Sequence, residues 1–221
     1  MSRTLLFDLD GTLVDSVTDL SAALNRLMQS RDLPKFSDSE TAIMVGDGAA
    51  VLIERAFAAR ARTPDPTALA EFLADYGANA AVATRLYPGV ATTLAALVAD
   101  GWRLAVCTNK PQAPAHALLR ALGIERMFAA IGGGDSFPVR KPDPAHLLAT
   151  LSVAGGCRQR AVMAGDHAND VAAARGAGIP CIFAAWGYGP AAMATGAAAV
   201  ARDFTELPAI AGRLVGNAAR A

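Results

Sequence analysis

The amino-acid sequence predicts an α/β fold in which a parallel sheet carries helices on both faces and an all-helical unit is inserted after the first strand. Three observations predict it. From residue 86 onward, short apolar runs bounded by turn signals alternate with longer helix-like segments, the pattern of βα units. Residues 17–85 break that rhythm, with helical periodicity and no strand signal between Leu20 and Arg85. The 221 residues are 53% hydrophobic yet only 6% aromatic, because about 50 of them are alanines, which suits closely packed helices.

The opening strand is Thr4–Phe7, nearly all apolar as expected when both faces of a sheet are covered. The insert follows. Leu20, Leu24, Leu27 and Met28 recur at helical spacing. So do Val51, Ile53, Ala56 and Phe57 after the turn at Gly46, Asp47 and Gly48, and then Leu69, Phe72, Leu73 and Tyr76. These stripes read as helix-packing core. Pro64 and Pro66 punctuate a loop, and Leu86, Tyr87, Pro88 and Gly89 return the chain to the sheet. Further strands are expected at Arg103–Cys107, 128–131, 161–164 and 179–183, with a shorter sixth near 198–200; helices are expected at 89–100, 113–122, Pro144–Val153 and 171–177, the last ended by Gly176 and Gly178. The Ala-rich stretch after Pro190 reads as compositional only.

Charge and cysteine usage narrow the partners. Twenty basic side chains balance twenty acidic ones, so no long-range field gathers nucleic acid or an anionic membrane, and an anion would have to be captured locally. Cys107, Cys157 and Cys181 form no CxxC and leave an odd thiol, which points to a reducing compartment. Leu5, Leu6 and Phe7 are too short a run for a signal-peptide core, and no stretch approaches the roughly 20 apolar residues of a membrane span. A cytoplasmic protein with a small-molecule partner, and neither nucleic acid nor membrane, is expected.

Ligands of open parallel sheets sit at the carboxyl ends of the strands. Four polar clusters fall there: Asp8, Asp10, Gly11 and Thr12; Thr108, Asn109 and Lys110; Lys141; and Gly165, Asp166, His167, Asn169 and Asp170. Carboxylates gathered at one edge repel unless a cation shares them, and hard oxygen ligands suit Mg²⁺ rather than zinc or copper. Around the ion stand a hydroxyl, an amide, an ammonium and the backbone amides of Gly11 and Thr12, the donors a phosphate dianion needs. Asp8 is the expected nucleophile, attacking phosphorus in line, with Lys141 neutralising charge and Asp10 as general acid and base. A phosphate ester is the expected substrate class.

Plainer readings stand beside these. Asp170 is also suited to cap a helix beginning at Val171, Lys110 and Arg55 to lie on solvated faces, and Gly46 and Gly48 to make a simple turn. Lys35, Lys110 and Lys141 are the only lysines among the 20 basic residues, so two of three sit in the clusters. Cys107, inside an apolar run, is expected to be a buried small hydrophobe, and His116 and His146 to lie on helix surfaces.

In these residues the chain resembles the haloacid dehalogenase superfamily of phosphotransferases, and within it the phosphoglycolate phosphatase group. The resemblance is carried in order by the nine residues from Asp8 to Ser16, by Thr108, Asn109, Lys110 and Pro111, by Lys141, Pro142, Asp143 and Pro144, and by Gly165 and Asp166 with Asn169 and Asp170. At group level it is carried by the turn from Val45 to Ala49 with Glu54, Arg55 and Ala56, and by Trp186, Gly187, Tyr188 and Gly189. The resemblance implies a Rossmann-like catalytic core (1–15 and 86–221) and a helical cap domain (16–85) that closes over the site. It implies Asp8 as nucleophile, Asp10 as acid/base with its backbone carbonyl on Mg²⁺, Asp166 as direct metal ligand and Asp170 as a ligand through water.

The metal set is thus Asp8, Asp10, Asp166 and Asp170. The phosphate and substrate set is Gly11, Thr12, Thr108, Asn109 and Lys141, with Gly46, Gly48 and Arg55 from the cap. His167 stands where the group more often has serine. The expected activity is Mg²⁺-dependent hydrolysis of 2-phosphoglycolate by a monomer or homodimer. The alternatives are another phosphate ester such as a sugar phosphate, a phosphomutase, or a non-catalytic binding protein with the same fold. A dehalogenase has no use for Asp10, and a phosphonatase needs a cap lysine that Lys35 is poorly placed to supply.

Overall fold

A computed structural model describes residues 2–218. Its central sheet has six parallel strands in the order β5-β4-β1-β6-β7-β8, formed by β1 (Thr4–Phe7), β4 (Arg103–Cys107), β5 (Ala130–Gly132), β6 (Ala161–Gly165), β7 (Cys181–Ala184) and β8 (Ala199–Ala201). β1 is central, pairing Thr4 with both Arg103 and Ala161.

Side chains alternate across this sheet, and the two faces bury two separate clusters. Leu5, Phe7, Leu104 and Val106 face α5 (Val90–Ala99), α6 (Gln112–Ala121) and α9 (Leu207–Ala218). Leu6, Ala105 and Met163 face α7 (Pro144–Val153) and α8 (Ala168–Ala177). Covering on both sides explains why every residue of β1 is buried. The reversal of strand order on either side of β1 opens a crevice at the carboxyl ends of β1, β4 and β6.

A short antiparallel ribbon, β2 (Val14–Asp15) with β3 (Arg85–Leu86), joins the sheet to four helices: α1 (Val17–Gln29), α2 (Asp38–Met44), α3 (Ala49–Ala58) and α4 (Ala68–Asn79). These bury a third cluster of their own, built on most of the expected stripes: Leu20, Leu24, Leu27 and Met28 meet Ile53, Phe57, Phe72 and Tyr76, whereas Leu69, expected in this core, is exposed on the outer side of α4. The buried Asp19 of α1 accepts hydrogen bonds from the backbone N–H groups of Ala83 and Thr84 and from the Thr84 hydroxyl, which ties the returning chain to the first helix.

Several elements depart from expectation. β7 begins at Cys181 rather than 179 because Pro180 has no N–H to give the ladder; its carbonyl still accepts from Met163. β5 begins at Ala130 because residues 125–127 form a 3-10 turn that runs into Phe128. The stretch after Pro190 holds more than composition: β8 is the expected sixth strand, and α9 follows it. α9 escapes periodicity because Gly212 and Gly216 interrupt it, yet Leu207, Ile210, Ala211 and Val215 are buried. His146 is not on a helix surface. It lies on the inner face of α7, fully buried, with Nε2 3.0 Å from the Gly133 carbonyl oxygen.

Candidate active site

All four polar clusters reach the crevice. Asp8 follows β1 directly, Thr108 follows β4, Asp166 follows β6, Asp170 sits in the first turn of α8, and Lys141 comes from the long loop after β5. One carboxylate oxygen each from Asp8, Asp166 and Asp170 lies within 4.8 Å of the others, and all three residues are buried. The Lys141 ammonium stands 3.0 Å from Asp8 Oδ1 and donates to Asp170 Oδ1 at 2.5 Å.

Local chain geometry fixes this trio. Thr12 donates its hydroxyl to Asp166 Oδ1 at 2.8 Å, and the Tyr188 backbone N–H donates to Asp166 Oδ2 at 2.9 Å. Gly11 turns the chain at φ +83, where any Cβ would overlap the Asp166 carboxylate. Helix α8 begins three residues earlier than expected, so Asp170 is not its N-cap. His167 is: its ring accepts from the Asn169 N–H, while Asp170 accepts from the His167 N–H and completes a reciprocal cap.

Electrostatics show what the trio lacks. Burial, reinforced by Asp8 and Asp170, pushes the Asp166 carboxyl up to about 7. Burial also raises Asp170 to about 7, although Lys141 opposes it. Carboxyl groups held this far above their ordinary range crowd negative charge that one ammonium does not balance. Oxygen donors at this spacing fit a hard divalent cation such as Mg²⁺. The Asp10 carboxylate is not brought into the trio; it accepts from Ser16 Oγ at 2.6 Å and from Lys110 Nζ at 3.0 and 3.1 Å.

Beside the trio lies a cavity with about 50 Å³ of water-accessible volume. The sheet supplies Asp8, Asp10, Thr108, Asn109 and Lys110; the helical unit supplies Gly46 and Gly48 with an apolar wall that includes Leu20, Leu52, Phe72 and Tyr76. Asn109 Nδ2 clasps the two halves, donating to the carbonyls of Gly46 and Lys141, both at 3.0 Å. Asn169 Nδ2 adds a second clasp to Asp47 Oδ1 at 2.5 Å.

Comparison with known proteins agrees with this geometry. The family model described as haloacid dehalogenase-like hydrolase matches residues 5–184. The chain belongs to the haloacid dehalogenase-like hydrolase family. It is 44% identical over 216 residues to a phosphoglycolate phosphatase of Rhodospirillum rubrum, covering 94% of this chain and 90% of that protein. It is 42% identical over 228 residues to one of Agrobacterium fabrum, covering 100% and 97%. Among solved structures it resembles a predicted phosphoglycolate phosphatase from Haemophilus somnus 129pt (TM-score 0.87, 33% identity, 95% of this chain and 97% of that one). It also resembles CbbY from Rhodobacter sphaeroides in complex with phosphate (TM-score 0.80, 28% identity, 94% and 96%).

In this haloacid dehalogenase-like hydrolase, Arg55 is placed away from the cavity wall. Its guanidinium donates to Asp47 Oδ2 at 2.5 Å and to the Met44 carbonyl, so its charge is already matched. Lys110, read from sequence as equally suited to a solvated face, is buried in the cavity, its ammonium bonded to Asp10 and, at 2.7 Å, to Tyr76 Oη. Rarity of lysine was the available signal. Tyr188 and Trp186 received no role from sequence. The Tyr188 hydroxyl accepts from the N–H groups of Ser16 and Val17 at the start of α1 and donates to Asp15, and Trp186 Nε1 donates to the Thr12 carbonyl. Both brace the Asp8 to Ser16 loop from the end of β7.

Proposed function

We propose that this chain is a Mg²⁺-dependent phosphomonoester hydrolase working through an aspartyl phosphate on Asp8, with 2-phosphoglycolate as substrate and glycolate and phosphate as products. One observation carries the reading: Asp8, Asp166 and Asp170 converge with Lys141 beside a cavity walled by the sheet and the helical unit. The relatives named phosphoglycolate phosphatase supply the substrate.

Asp8, Asp166, Asp170 and the backbone carbonyl of Asp10 would hold Mg²⁺, which when bound neutralises charge on the non-bridging phosphate oxygens. A carboxylate oxygen of Asp8 attacks phosphorus, and the bond to the ester oxygen breaks. Asp10 gives that oxygen a proton. Water then attacks the phosphorus of the acyl phosphate, Asp10 takes its proton, and Asp8 leaves as carboxylate. Lys141 neutralises charge beside Asp8 throughout, while Thr108 Oγ1 and the backbone N–H of Asn109 steady the phosphate oxygens; contrary to the sequence expectation, the N–H groups of Gly11 and Thr12 donate to the Val14 and Leu9 carbonyls within their own turn. Residues 16–85 act as the cap of a core formed by 1–15 and 86–221. They exclude water through the Gly46 to Gly48 turn, which the Asn109 and Asn169 clasps support.

A phosphate-release assay across a panel of small esters, with Mg²⁺ and with chelator, tests the reading. Release from 2-phosphoglycolate that requires Mg²⁺ and exceeds that from sugar phosphates supports it; no release from any ester rejects it.

A further inference from the structure

We propose that Lys110 is the residue that recognises the carboxylate of the substrate, so that the group which selects an acidic ester also holds the general acid Asp10 in place. The inference rests on the phosphatase reading above and names the specificity determinant of that same site.

The cavity wall leaves no other choice of cation. Of the described residues that line it, Lys110 is the only one with a cationic side chain. The cap side is apolar apart from Tyr76 and the Gly46 and Gly48 backbone, and Arg55 lies off the wall, bonded to Asp47. A substrate whose phosphate sits at Asp8 would push its carboxylate into this apolar space, where an unmatched anion is strongly disfavoured. A buried ammonium is therefore the group that decides which ester enters.

Lys110 is built to hold a charge there. Its side chain is only 4% exposed. Nζ lies 4.3 Å from the centre of the Tyr76 ring and donates to Tyr76 Oη at 2.7 Å. Its remaining contacts, at 3.0 and 3.1 Å, go to the two oxygens of one carboxylate, Asp10, so one N–H can turn to an incoming anion without breaking that ion pair.

The connectivity of the substrate matches this placement. In 2-phosphoglycolate the ester oxygen and the carboxylate are attached to the same methylene. A proton donor for that oxygen and a cation for that carboxylate must therefore be neighbours, as Asp10 and Lys110 are. Because Tyr76 belongs to α4 and Lys110 to the core, the recognising group is complete only with the cap seated.

The test compares 2-phosphoglycolate with ethyl phosphate, in which a methyl group replaces the carboxylate, for the parent, Lys110→Met and Lys110→Gln. Glutamine keeps donors for Asp10 and Tyr76 and removes only the charge, so it remains informative should the methionine variant unfold. The expected result is that both variants lose the parent's preference for 2-phosphoglycolate by roughly 30-fold or more, the scale of an unmatched buried charge, with the loss concentrated in KM.

Calorimetry with 3-phosphonopropionate and propylphosphonate in Mg²⁺ reads the same selectivity without turnover: the parent prefers the acid, and the variants bind the two alike. Equal losses on both esters with the binding preference retained would overturn the proposal and leave Lys110 a mere support for Asp10. A parent that hydrolyses ethyl phosphate as well as 2-phosphoglycolate overturns it too, while the phosphatase chemistry stands. A parent that hydrolyses neither defeats the phosphatase reading itself, and the inference with it.

Discussion

The ammonium of Lys141 bridges two buried carboxylates, 3.0 Å from Asp8 and 2.5 Å from Asp170. Because the bridge lies wholly inside the protein, removing the cation leaves uncompensated negative charge beside Asp8. Lys141→Met is expected to lower stability by about 3–5 kcal/mol in the absence of metal. It is expected to slow phosphate release by roughly 100-fold or more in its presence. Urea titration and steady-state kinetics check the two effects; unchanged kinetics would remove Lys141 from the proposed machinery.

Asp166 and Asp170, both raised to about 7, should make metal binding depend on pH. A cation entering the trio displaces whatever protons those carboxyls carry. Mg²⁺ affinity is therefore expected to rise with pH up to about 7 and level off above it, by about tenfold per pH unit for each proton released. Titration calorimetry at pH 6 and pH 8, in buffers of different ionisation enthalpy, measures affinity and proton release together. An affinity that ignores pH contradicts the site.

Gly46 sits at φ +123 with the His167 ring where a side chain would be, 2.6 Å from an ideal Cβ. Gly46→Ala should strain the seated cap by about 1–3 kcal/mol. The helices keep their own hydrophobic cluster, so the strain should appear as a smaller closed population, lowering kcat/KM by roughly 5- to 150-fold with little change in melting temperature. A lower melting temperature with full kcat/KM would argue that the turn serves folding alone.

Burial, assisted by nearby Lys141, lowers the His146 imidazole to about 4 from its ordinary 6.5. Between those values the unfolded chain binds a proton that the folded one refuses. Stability should therefore fall as pH drops from about 6.5 towards 4, by up to about 1.4 kcal/mol per pH unit from this group, and no further below that. Urea midpoints at pH 7 and pH 4.5 for the parent and His146→Gln test it: the parent should lose more than the variant, and equal losses would dismiss the effect.

Much of this was legible in the sequence because the relevant signals are local. Apolar runs covered on both faces mark β1, β4 and β6, helical stripes mark the insert, and the acidic clusters fall at strand ends whatever the details of packing. What escaped depends on contacts between distant segments. His146 looks like a surface histidine until α7 turns it inward onto Gly133; Lys110 looks solvated until Asp10 and Tyr76, 100 and 34 residues away, enclose it. Arg55 fails the other way: its partner Asp47 is close in sequence, but only the folded turn shows that the pair satisfies itself. α9 was hidden by its glycines, its burial being decided by the sheet it covers.

The central claim is that Asp8 carries the phosphoryl group, and the rate of phosphate release from 2-phosphoglycolate by Asp8→Asn in saturating Mg²⁺ tests it most directly. An amide cannot serve as the nucleophile, so the expected result is a fall in kcat of roughly 10⁴-fold or more relative to the parent. Turnover by Asp8→Asn at the parental rate would contradict the account.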